Sequence, residues 1–326
     1  GKPACGPYDE GKMHHPMGLT LTPSGELRVA EEDYQPKRVS VWNIDGSFKQ
    51  AFYGPTEYGG GGKIDPRDKT RFYYFGMEFE LDWEKGTDRI KSIFFRRDNP
   101  ANLLFPNYHG ELGANPETPV YLDGRQYMTS TYNGRANMGP LIAGIWLMED
   151  GVAQPVAAVG QANYWDIFKG DAFKRLIPPG IDLNAPLNFQ WTRDRTPPYE
   201  DALLFAWSDL NGDRQLQPDE VTFAPGKAGG LNQDNGLTFY TADGLQIAPQ
   251  QFTDSGVPVY DLAKAERACP LGVPLRYTVV IPGRDGDFAV SGFPSLARGE
   301  VSGVTRDGRR WTYPSQWTGL HASQSY

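Results

Sequence analysis

The stretch that decides the fold is His15-Pro-Met-Gly-Leu-Thr-Leu-Thr-Pro-Ser-Gly25, followed by Glu26-Leu-Arg-Val-Ala-Glu31, Arg38-Val-Ser-Val-Trp-Asn43 and, after Asp45-Gly46, Ser47 to Tyr53. Each run alternates apolar and polar residues over four to seven positions, the period at which a strand turns successive side chains to opposite faces. Each ends in Ser-Gly, Asp-Gly or a polar loop, the composition of tight turns. Four short strands so punctuated predict a four-stranded antiparallel meander.

Working outward, the same grammar recurs. Met77–Leu81 and Ile90–Phe95 flank Lys85-Gly86, and Val120 to Ser130 folds through Asp123-Gly124. Ala143 to Val159 folds through Asp150-Gly151. Leu203–Trp207, Leu237–Tyr240, Tyr277–Ile281, Val301–Val304 and Arg310–Tyr313 read as further strands. The chain of 326 residues holds 38 Gly and 27 Pro, about a fifth of its length, with 13% aromatics. That is too apolar for disorder and too broken by turns for a helical bundle. Many short strands imply a sandwich, barrel or propeller.

The opening unit selects among these. Pro16-x-Gly18, Gly25, Val29-Ala30-Glu31, Val39-x-Val41-Trp42 and Asp45-Gly46 resemble the NHL repeat, a β-propeller blade. The resemblance implies an all-β propeller of roughly six to eight four-stranded blades, and a large sandwich is the alternative. Residues 1–326 read as one propeller domain with insertions at about 55–72, 99–119 and 162–198. The third contains the best helix candidate, Trp165 to Leu176, ended by Pro178-Pro179 and expected to pack as a cap. The chain is also similar to long secreted NHL-type bacterial proteins through Gly54-Pro-x-x-Tyr-Gly-Gly-Gly-Gly62, Asp65–Tyr74, Ala206–Asp213 and Trp311-x-Tyr-Pro-x-x-Trp317. That likeness implies a secreted, periplasmic or cell-surface location and a protein or polysaccharide partner, and transfers no catalytic residue. The start without Met and the aromatic-rich end read as a piece of a longer polypeptide, or as a propeller completed by another chain or segment.

Charge and composition exclude several classes. A net charge of −8 opposes the phosphate backbone of nucleic acid. The longest apolar run, Leu141–Met148, is far below the roughly 20 residues of a spanning helix. Two cysteines, Cys5 and Cys269, fit either buried thiols or one bridge closing a long loop. Without a Cys-x-x-Cys pair there is no haem attachment or Cys-type zinc. Gly59–Gly62 before Lys63 lacks the strand–loop–helix setting of a phosphate cradle.

Chemistry concentrates in Asp209-Leu-Asn-Gly-Asp-Arg-Gln-Leu-Gln-Pro-Asp-Glu220. Asp209, Asn211, Asp213, Gln215 and Glu220 follow the spacing by which an EF-hand loop surrounds Ca2+, with Glu at position 12. Position 6, normally Gly, is Arg214, and a strand precedes the loop, so a free-standing structural calcium loop is expected, against an ordinary Asp/Asn-rich turn. Among relatives of NHL blades, the amidating lyases hold zinc through propeller-channel histidines. A His15/His109/His321 site for Zn2+ in a metal-dependent lyase or lactonase is the corresponding alternative. Glu78 and Glu80, two apart on one strand beside Trp83, invite a glycosidase pair but read as a solvated strand face.

Overall fold

A computed structural model describes residues 5–31, 35–54, 62–96, 116–129, 142–185, 199–228, 231–241, 244–267, 278–281, 288–291, 300–305 and 307–314. Among them there are strands and short 3-10 turns but no α-helix. After β1 (Gly6–Pro7), sheet I is the meander β2 (Pro16–Leu21), β3 (Glu26–Glu31), β4 (Arg38–Asn43), β5 (Phe48–Tyr53). Sheet II is β6 (Lys63–Ile64), β7 (Arg71–Tyr74), β8 (Met77–Asp82), β9 (Thr87–Ile93), with β1 added beyond β9. Sheet III runs β10 (Thr118–Leu122), β11 (Arg125–Thr129), β12 (Ile142–Glu149), β13 (Val152–Gln161), β14 (Leu203–Ser208), β15 (Val221–Pro225).

Sheet IV joins β16 (Asn232–Gln233), β17 (Phe239–Tyr240) and β18 (Leu245–Ile247). A two-stranded ribbon, β19 (Gln251–Phe252) and β20 (Pro258–Val259), comes before its fourth strand, β21 (Glu266–Arg267). Sheet V is β22 (Thr278–Ile281), β23 (Phe288–Ser291), β24 (Glu300–Thr305), β25 (Arg310–Pro314). All pairings are antiparallel, and sheet I falls on the four strands the opening stretch predicts.

The turns are legible in residue type. Asp123-Gly124 and Asp150-Gly151 place both residues in the left-handed region, at φ 47 and 77 and at φ 50 and 77, the two-residue hairpin form. A second form turns on Thr-x-x-Gly. Thr22, Thr241, Thr253 and Thr305 each precede a Gly by three residues, and the Gly N–H donates to the Thr carbonyl. The Thr hydroxyl accepts the N–H four residues on, in Glu26, Leu245, Val257 and Arg309. Asn43 to Ser47 closes alike in the backbone, so Asp45-Gly46 is the end of a wider turn and only Gly46 has positive φ.

Sheets I to IV pack each on the next in the chain. Gln35 Nε2, three residues before β4, donates to Phe75 O and Phe95 O, just past β7 and β9 of sheet II, at 2.6 and 2.7 Å. Tyr73, Phe94 and Phe95 pack on Met128, Trp146 and Ala153 of sheet III. The other face of sheet III meets Leu237, Phe239, Ile247 and Tyr260 around sheet IV. At roughly 1.5–3 kcal/mol for each large apolar side chain buried, these seams dominate the stability. The architecture is all-β, in meanders stacked as propeller blades are.

Several expectations are corrected. Two sheets exceed four strands, because β1 extends sheet II and β14–β15 continue sheet III. Within the supposed insertion 55–72, Lys63–Ile64 and Arg71–Tyr74 are strands of sheet II, and 55–61 lies outside the described residues. Strand β10 begins at Thr118, inside the supposed insertion 99–119, whose residues 99–115 lie outside the described ones. The segment from Trp165 forms no α-helix. Asp166–Lys169 is a 3-10 turn that ends where Gly170 becomes extended, at φ −72 and ψ 157. Trp165, Phe168 and Phe173 bury against Phe205 and Phe223 of sheet III, and that aromatic packing decides the backbone. The segment does pack as the expected cap. Residues 186–198 and Cys269 lie outside the described residues.

Candidate functional site

The twelve residues 209–220 join β14 to β15 in sheet III. Asp209 is wholly buried, because its N–H still pairs with Val156 O of the neighbouring strand at 2.9 Å, which carries the ladder one residue past β14. Asp213 is exposed at the tip. Its backbone N–H donates to Asn211 Oδ1 at 2.9 Å, and its Oδ1 accepts from Gln215 N at 2.8 Å. Such Asx contacts fold the loop back. Pro218–Glu220 forms a 3-10 turn that returns Glu220 beneath the loop.

The geometry gathers Asp209, Asp213 and Glu220, whose carboxylate oxygens lie within 4.8 Å of one another. Asn211 sits in the same loop, with its amide on Asp213 and Gln217. Gln215 enters through its backbone N–H. Glu220 Oε1 accepts from Asn211 N and Oε2 from the Trp207 indole, both at 3.1 Å. Burial pushes the Glu220 carboxyl above its ordinary value, and the Asp209 charge adds to that; the Trp207 and backbone donors pull the other way. Three acidic groups brought together, two of them buried, form an arrangement whose repulsion a cation would relieve.

Arg214 supplies a cation from within the chain. It takes the strained left-handed conformation, φ 61, that position six demands. Its Nη1 contacts Asp209 Oδ2 at 2.5 Å, and its Nη2 lies 3.0 and 3.1 Å from the two Glu149 carboxylate oxygens of β12. The spacing of 209–220 could flag Arg214 as an odd residue at the turn; its partner 65 residues away has no local signal.

The other sequence candidates lie away from this loop or outside the described residues. His15 is exposed at the entry to β2, and His109 and His321 lie outside the described residues. Glu78 is not on a solvated face. It is buried and bonded to Arg71 Nε at 2.7 Å and Lys91 Nζ at 3.0 Å. Glu80, on the same face, pairs with Arg89. The cross-strand cations at these register positions draw Glu78 inward, so it serves as an ion-pair anchor.

No family model and no curated protein matches this chain. Among solved structures it is similar to a protein from Lactobacillus plantarum, at 12% identity and TM-score 0.27, covering 92% of this chain and 70% of that one. It is similar to TolB from Acinetobacter baumannii at 13% identity and TM-score 0.31, covering 92% and 66%. A putative 6-phosphogluconolactonase from Bacteroides fragilis gives 13% identity and TM-score 0.31, covering 93% and 82%. Among the described residues no helix is long and apolar enough to cross a membrane.

Proposed function

We propose that this chain is an exported, calcium-stabilised β-propeller, with an NHL-type blade at β2–β5, that serves as a binding module presenting its loops to a protein or polysaccharide partner. The observation that carries the calcium part is the convergence of Asp209, Asp213 and Glu220 at EF-hand spacing. Oxygen ligands of this hardness suit Ca2+. An ion entering there takes over from Arg214 the neutralisation of buried Asp209, and the guanidinium stays on Glu149. The ion acts as a staple between β14 and β15 and leaves the loops of the rigid sheets to make contacts.

Calorimetry on the chelated protein, followed by calcium titration, tests this reading. One calcium per chain and a melting temperature that falls on chelation are expected. An unchanged melting temperature with no bound calcium overturns it. Zinc found instead, and lost on His15→Ala, turns the assignment to a metal-dependent lyase or lactonase.

A further inference from the structure

The β8–β9 hairpin carries a feature that the metal loop does not explain. Trp83, at its tip, is 62% exposed, in a protein that buries Trp42, Trp146, Trp165 and Trp207. Its indole N–H donates to Lys69 O at 2.8 Å, so the ring is held in place while most of its surface stays open. The tip backbone is fixed as well: Asp82 Oδ1 accepts from Glu84 N and Lys85 N at 3.2 and 3.0 Å. Trp83 lines an open groove of about 710 Å3 with Thr70, Thr87, Glu80, Asp82 and Arg89. That lies within the size range of small-molecule sites.

We infer that this groove is a saccharide-binding subsite for a neutral glycan, with Trp83 as its stacking platform. The inference rests on the binding-module reading and names its ligand class. A sugar ring offers an apolar C–H face to an aromatic plane and hydroxyls around its rim, and a pinned indole supplies that plane without loss of side-chain freedom. The polar groups at the rim are pre-oriented. Glu80 accepts from Arg89 Nε at 2.7 Å, and Asp82 from Lys85 Nζ at 2.8 Å. Both Arg89 contacts fall on Oε2 of Glu80, which leaves its Oε1 edge for a hydroxyl, and Thr87 adds a hydroxyl of its own. Glu84 and Asp88 also line the groove and carry no ion-pair partner among the described residues. Their surplus negative charge repels uronic and sulfated chains, which sets the preference for neutral ones.

Native affinity electrophoresis tests the assignment, using gels that contain hydroxyethylcellulose, galactomannan or laminarin as neutral polymers and polygalacturonate as the anionic one. Retardation by at least one neutral polymer, none by polygalacturonate, and at least a tenfold loss of association in Trp83→Ala is the expected result. Trp83→Phe should keep part of the binding, and equal melting temperatures for all three proteins show that the fold is intact. No neutral polymer retarding the protein, Trp83→Ala retarded equally, or retardation by polygalacturonate alone each overturns the subsite. Any of these leaves the calcium titration, and with it the calcium part of the parent reading, standing on its own result.

Discussion

Replacing Arg214 by Gly separates the two ways in which the 209–220 loop can be neutralised. Arg214 holds φ 61, and a non-glycine residue there costs about 1 kcal/mol, which Gly recovers. The substitution also removes the guanidinium from Asp209, whose side chain has no solvent exposure. Leaving one member of a fully buried ion pair unpaired costs about 3–5 kcal/mol. Arg214 is 20% exposed, so the loss is reduced to about 2–3 kcal/mol. The net effect in chelator is a destabilisation of about 1–2 kcal/mol, or about 1.5–3 °C in a chain of 326 residues.

With calcium the gap closes. The ion no longer competes with an internal cation, so the variant binds it about tenfold more tightly. At saturating calcium that tenfold is worth about 1.4 kcal/mol, which offsets the loss in chelator. Differential scanning calorimetry in chelator and in calcium, with isothermal titration for affinity, reads both effects. A variant as stable as the parent in chelator, or one that binds calcium no more tightly, refutes the reasoning.

Three further outcomes follow from the packing. For Glu78, burial raises the carboxyl pKa, but the bonds from Arg71 and Lys91 outweigh it, so the group titrates below its ordinary value. Its folded-state value lies below the unfolded one, so its stabilisation is present above about pH 4.5 and is lost as pH falls through the folded value. The melting-temperature gap between the parent and Glu78→Gln should therefore be open at pH 7 and narrow towards pH 3; a gap independent of pH refutes the ion-pair account. Gly144→Ala places a Cβ 2.5 Å from Trp146 Cη2 on the same strand face, and urea unfolding should show a loss of about 1–3 kcal/mol. Phe168→Ala empties the aromatic seam beneath the 162–185 cap, and a loss of about 3–5 kcal/mol with faster proteolysis of that segment is expected.

Local chemistry made much of the scaffold readable. Alternation fixes which face a side chain takes, and Asp-Gly or Thr-x-x-Gly fixes where a strand must reverse, because only a few residue types tolerate the turn dihedrals. Sheet I, both Asp-Gly hairpins of sheet III and the three acidic residues of 209–220 come from information carried within a dozen residues. The helix expected at Trp165–Leu176 failed because its apolar spacing suits either helix or cap. What chose between them was the Phe205–Phe223 surface, some forty to fifty-five residues further along.

The sequence by itself thus determined an all-β chain of short meanders and a loop with calcium-like spacing, since both depend on neighbours along the backbone. Only the tertiary structure decided that Arg214 reaches Glu149, that Glu78 is drawn inside, and that Trp83 is pinned open above a groove. Each of those depends on which strands lie side by side. That is set by the summed burial of distant apolar faces, which no local pattern encodes.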